Sequence, residues 1–234
     1  MDVTFFAEII PRLLTGLPLT LQLASLSVLF GIIIALPLAL AQRFRHPLID
    51  WPIRTYVAIF RGTPLLVQIF LIYYGLGQFR FFFQELGVWS VFREPYWCAI
   101  LALTLNTAAY GSEIIRGGLQ SVPQGEVDAA HAFGMSPWTT LRRIVLPITA
   151  RHALPSYGNE IILMVKGTSL ASIVTLMEIT GIAHGIISQT YRPIEVFICA
   201  GAIYLTLNFA ITRMLAAIEH RLGRHLRPPA VSIA

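Results

Sequence analysis

Two ionisable side chains, Glu160 and Lys166, lie within one largely apolar stretch, and chemistry is first to be sought there. Ionisable groups are costly in an apolar medium and are kept where they face a bundle interior, water or a ligand. A lysine can meet a carboxylate, and a glutamate an amino or guanidinium group, so the two suit a zwitterion. Their six-residue offset sets them about 120° apart on an ideal helix, too far round for a direct bond within it. For each, an interhelical structural pair is the equal alternative. Leu163 lies between them as an apolar candidate on the same pathway. Gln68 can bond a substrate or pack between helices. Asn106, Tyr110 and Glu113 recur at i, i+4 and i+7 and share one helix face. Asn106 reads as a packing polar residue, while the roles of Tyr110 and Glu113 stay open. No reaction centre is visible: the 6 histidines lack metal-ligand spacing, and Cys98 and Cys199 sit in separate apolar segments. No serine occupies a nucleophile elbow. Neither an enzyme nor a metal or cofactor is expected.

The elements that position these residues follow from composition. Of 234 residues, 56% are hydrophobic and 12% charged, against about 25% charged in soluble domains. Apolar runs of about 20 residues point to lipid rather than water as the solvent. The expectation is an all-α membrane protein with about five transmembrane helices, over 19–41, 64–83, 97–115, 154–175 and 196–218. The first run is too long for a signal peptide's apolar core of about 7–15 residues, and no basic cluster precedes it. It reads as a retained span. Ahead of it, Phe5, Phe6, Ile9, Ile10, Leu13 and Leu14 recur at helical spacing and predict a short helix lying in the membrane interface.

Arginine placement orients the chain. Arg43, Arg45, Arg54 and Arg61 follow the first span, Arg116, Arg142, Arg143 and Arg151 follow the third, and Arg221, Arg224 and Arg227 lie in the tail. The other side holds Arg12, Arg80, Arg93 and Arg192, with Glu8, Glu85, Glu94 and Glu195 beside them. The bias predicts an N-terminus on the outside of the membrane, which would be periplasmic if the membrane is a bacterial inner one, and a cytoplasmic C-terminus. The net charge of +5 is spread along the chain, so no nucleic-acid partner is expected. Membrane lipid is.

The longest connection, 116–153, is expected in the cytoplasm. Residues 127–133 are helix-compatible, Gly134 can end a helix, and Ser136-Pro137 can begin another that stops near Pro147. Gly134 also permits a positive φ. The loop therefore predicts two short helices about a glycine turn, a shape able to dock on a partner. No Walker phosphate loop occurs, so any ATP that drives the protein must be bound by another chain.

Asp128-Ala129-Ala130, then Gly134, then Ile144-Val145-Leu146-Pro147, resembles the cytoplasmic signature of importer-type ABC permeases, with Asp128 where the pattern has Glu. The segments 60–68, 104–110 and 158–170 are similar to the second, third and fourth spans of the polar amino-acid branch. The whole chain is most similar to the M-type histidine, octopine and nopaline permeases. This resemblance implies a type I permease fold over a single transmembrane domain, 1–234, in the bacterial inner membrane. It implies an ATPase dimer below, a periplasmic binding protein above, and a second permease subunit, of related but different sequence. Asp128, Ala129, Ala130, Gly134, Ile144, Leu146 and Pro147 would couple to the ATPase. Glu160, Lys166, Gln68 and Leu163 would line the path of a polar amino acid or opine. A secondary transporter or channel without ATPase partners is the alternative.

Overall fold

The computed structural model describes residues 3–44 and 46–222. Arg45, Arg224 and Arg227, used above to orient the chain, lie outside the described residues. The helices are α1 (Val3–Leu14), α2 (Leu17–Ala41), α3 (Pro47–Gly62), α4 (Leu65–Gln78), α5 (Arg80–Glu85), α6 (Trp89–Phe92), α7 (Pro95–Gln120), α8 (Gln124–Ala132), α9 (Pro137–Thr140), α10 (Leu146–Gly167), α11 (Ile179–Thr190) and α12 (Pro193–Leu222). A π-helical turn, Leu141–Val145, joins α9 to α10, and a 3₁₀ segment, Thr168–Val174, follows α10. Three helical stretches are long and apolar enough to cross a membrane, Thr4–Ala41, Pro95–Gln120 and Pro193–Arg221. Two bent pairs, α3 with α4 and the α9–α10 run with α11, raise the number to as many as five.

At the centre α2 lies along α7. Lipid tails are as apolar as leucine, so helices in a membrane associate by close packing of small residues rather than by hiding apolar ones. The face that α2 buries carries Thr20, Ala24, Ser27, Gly31, Ala35 and Ala39 with a single Leu23, while Leu29, Phe30, Ile32, Ile33 and Leu36 point outward. On the facing helix, a Cβ added at Gly111 would lie 3.2 Å from that of Ala35. Size, and not hydropathy, selects the buried face.

Several expectations change in the structure. The N-terminal amphipathic helix forms, but its apolar edge is turned to protein: Ile9 and Leu13 are buried among Ile179, Ala183, Ile186 and Val196. The helix expected over 64–83 ends at Gln78, and α3 precedes it at a bend of 108°. Thr63 and Pro64 are extended there, since proline excludes its predecessor from the helical region. No helix was expected over 176–195, where α11 forms. The helix after Gly134 does not stop near Pro147; it runs through the π turn into α10. Pro147 sits in the first turn of α10, where its missing N–H breaks no bond.

Packing this tight sets a mutational asymmetry on α2. Gly31→Leu, whose Cβ would crowd Thr107, should lose about 1–3 kcal/mol, whereas Ile33→Leu on the outer face should be neutral. Thermal melting of the two variants in detergent checks this.

Candidate functional site

Asp128, Ala129, Ala130 and Gly134 build one compact turn, while Ile144, Leu146 and Pro147 lie beyond it in the π turn and the start of α10. α8 ends in a Schellman arrangement: Met135 N–H donates to the Ala130 carbonyl at 3.0 Å and Gly134 N–H to that of His131 at 2.9 Å. This closure needs a left-handed residue, and Gly134 supplies it with φ +73°. Ser136 then caps α9 through its hydroxyl, which accepts from Thr139 N–H at 3.3 Å, and Pro137 occupies the first turn. Gln124 donates to the Asp128 carboxylate at 3.0 Å. Val127 and Ala130 are buried, and Asp128 and Ala129 are exposed. Beside Gly134, Phe133 is 88% and Trp138 67% exposed, which leaves large apolar side chains on the outer face of the turn. Ile144 and Leu146 are half-buried, and Pro147 is exposed.

The same run of helix leads to the intramembrane acid. Glu160 on α10 is 5% exposed and accepts from the Thr107 hydroxyl of α7 at 3.5 Å. Leu163 and Lys166 are exposed on another face of α10. The structure therefore separates Glu160 from Lys166 around the helix, as their spacing required, and groups Lys166 with Leu163.

Gln68, a pathway candidate by sequence, has its amide engaged inside the chain. Its Nε2 donates to the carbonyls of Phe60 and Thr63 at 2.8 and 3.0 Å and to the Thr63 hydroxyl at 2.9 Å. Its Oε1 accepts from Asn106 Nδ2 at 2.9 Å. These bonds satisfy carbonyls that the α3–α4 break strips of helical partners. Gln68 is thus a clamp on the break, and Asn106 packs as the sequence indicated. Further along α7, Glu113 accepts from Arg116 at 2.9 and 2.5 Å. It also meets Arg61 at 3.6 Å, and that guanidinium lies 5.2 Å over the Tyr110 ring.

Sequence reasoning passed over Glu178, which is fully buried. Its carboxylate caps α11, accepting from Thr180 and Gly181 N–H at 2.9 and 2.8 Å and from the Tyr204 hydroxyl at 2.6 Å. It lies just past the fourth apolar stretch and so reads as a loop residue. A carboxylate two residues before a Thr-Gly pair was the available signal.

Comparison with known proteins gives a consistent picture. The description "binding-protein-dependent transport system inner membrane component" names the family model that matches residues 27–224. The chain is 53% identical over 227 residues to the nopaline transport system permease protein NocM of Agrobacterium fabrum, covering 97% of this chain and 94% of that one. It is 56% identical over 218 residues to the octopine transport system permease protein OccM of Rhizobium meliloti, covering 93% and 89%. Among solved structures, it is similar to a crystal structure of an amino acid ABC transporter with histidines, at a TM-score of 0.83 and 33% identity, over 94% of this chain and 99% of the other.

The Gln68–Asn106 bond yields a direct test. Gln68→Leu and Asn106→Leu should each lower thermal stability in detergent, and the double variant should lose less than their sum by about 0.5–3 kcal/mol. Strict additivity would show that the two side chains do not act together.

Proposed function

The chain belongs to the binding-protein-dependent transport system inner membrane components, and on that footing we propose how it performs as the permease subunit of an ABC importer. It is a multi-pass inner-membrane protein that works with an ATPase and a substrate-binding protein. In our reading the ATPase subunits are separate chains, a dimer, docking on the α8–Gly134–α9 turn. The N-terminus faces the periplasm, where the binding protein delivers substrate, and the turn and the C-terminus face the cytoplasm. A second permease subunit of related but different sequence completes the pathway.

One observation carries the coupling role: from Pro137, three residues after Gly134, the chain is helical without a break through α9, the π turn and α10 to Glu160. A displacement of the turn by a soluble motor is then transmitted along one helical run into the membrane. Exposed Phe133 and Trp138 supply apolar contact area, and exposed Ala129 lets the partner approach the helix closely. Such coupling needs contacts that differ between the nucleotide-bound and free motor.

The substrate is a polar amino acid or opine. The opine permeases named above support that class, as do one acidic and one basic side chain on α10. Glu160 meets an amino or guanidinium group and Lys166 a carboxylate, with Leu163 beside it. Gln68 serves this path indirectly by holding the α3–α4 break.

Two experiments test the reading. Gly134→Val forces a β-branched residue into the left-handed region and should abolish uptake at unchanged membrane levels, while Gly134→Asn, which tolerates that region, should retain most of it. Equal uptake by both would remove the coupling role. Glu160→Gln and Lys166→Gln should each weaken substrate affinity by roughly tenfold, the worth of one charge-assisted bond. An unchanged KM for uptake in either variant would return that residue to a structural role.

A further inference from the structure

A cleft of about 990 Å³ lies beside this machinery, between α3 on one side and the ends of α2 and α7 with α8 on the other. Arg43, Arg54, Arg61 and Arg116 line it, against the two carboxylates of Asp50 and Glu113. Arg61 and Arg116 share Glu113, and Arg54 holds Asp50 at 2.7 Å. Arg43 has no ion-pair partner among the described residues. The cleft is therefore set for an anion.

A second observation narrows the ligand. Gln42, which lines the cleft, is 8% exposed, and its Oε1 is buried with no hydrogen-bond partner among the described residues. Leaving such an acceptor unpaired costs about 1–3 kcal/mol. A phosphate diester brings no donor to it, whereas a headgroup that also carries hydroxyls does. Phosphate with adjacent hydroxyls is the shared chemistry of glycerol-type phospholipid headgroups and of soluble glycerol phosphate.

The opposite side of α3 favours the lipid. Leu48, Trp51 and Ile59 are strongly exposed there, while Asp50, Arg54, Val57 and Arg61 face the cleft. A helix with tryptophan and aliphatic residues on one side and arginines on the other lies at the membrane interface. The apolar side then holds α3 at the membrane surface and sets the arginine-lined cleft at headgroup depth, where a phospholipid can reach it. We propose that the cleft holds the headgroup of an anionic, hydroxylated phospholipid of the phosphatidylglycerol class, from the leaflet on the α8 side. Gln124 and Val127 of α8 line the same cleft, so the bound headgroup braces the coupling turn, an effect beyond the transport role itself.

The test uses the assembled importer, purified in mild detergent and reconstituted in phosphatidylcholine vesicles with or without phosphatidylglycerol. Native mass spectrometry should find phosphatidylglycerol retained by the wild type and by Arg151→Gln, an exposed arginine outside the cleft. Retention should fall roughly tenfold in the double variant Arg43→Gln/Arg54→Gln and in Gln42→Leu. Uptake by the wild type should be higher in the phosphatidylglycerol vesicles, and the double variant should lose that dependence. Equal retention by all four proteins, or wild-type uptake that does not depend on the lipid, overturns the proposal. Displacement of the lipid by soluble glycerol phosphate or inorganic phosphate assigns the cleft to a soluble anion and overturns the lipid assignment.

Discussion

In lipid, large apolar side chains gain little by facing one another, so helices must be brought together by fit. The contact of α2 with α7 is where this protein meets that constraint, and the rest of the bundle is arranged around it. Ser27, Gly31, Ala35 and Ala39 recur every four residues and form one shallow groove. α7 brings Thr107, Ala108 and Gly111 against it. That closeness sets the depth of Thr107, whose hydroxyl reaches Glu160, and so ties the position of the buried acid to the contact of α2 with α7. α10 is held to the same axis at its lower end, where a Cβ on Gly118 would stand 2.9 Å from the Thr149 carbonyl.

Besides the small cluster of Ala35, Ala39 and Ile115 on this axis, two larger packed groups stand out among the described residues. Leu23, Ile69, Leu103 and Met164 centre the larger, and Ile9, Ile179, Ile186 and Val196 the smaller. The two chain breaks between them meet in space. Gly16, between α1 and α2, is so close to Glu178 that a Cβ there would lie 2.6 Å from its carbonyl carbon. Thr20 accepts from Ile179 N–H at 3.4 Å at the same place. Glu178 satisfies the free backbone N–H groups at the buried start of α11, which is why a carboxyl side chain is kept so deep. The α3–α4 break is treated alike, with Gln68 and Asn106 supplying the missing partners. At these two interruptions a buried polar side chain supplies the missing partners, because an unpaired backbone group in an apolar medium is costly.

Much of the turn around Gly134 was legible in the primary structure because its determinants are local. The glycine at 134, the Ser-Pro pair that follows and the small residues of α8 need no distant partner to make a turn. Gln68 was not legible in this way: an amide near a Gly-Thr-Pro break can face a ligand or a carbonyl, and only the placement of Phe60 and Asn106 distinguishes them. Glu178 was missed for a related reason: Thr180 and Gly181 are local partners, but the third, Tyr204, lies 26 positions away. The continuation of α9 into α10 was also hidden, because a proline ordinarily marks a stop and here falls at a fresh start after a π turn.

By itself, then, the order of residues determined that the chain lives in lipid, roughly where its long apolar helices run, and that a glycine turn forms at residue 134. These follow from hydropathy and from backbone preferences that act within a few residues. Tertiary structure alone decided which side of each helix is inside, since α2 is apolar all round and only the size of its side chains, matched against α7, orients it. It also decided that Glu160 is buried while Lys166 is exposed, and that Gln68 holds a break. A hydrogen bond's partner is chosen by proximity in space, which residue order does not record.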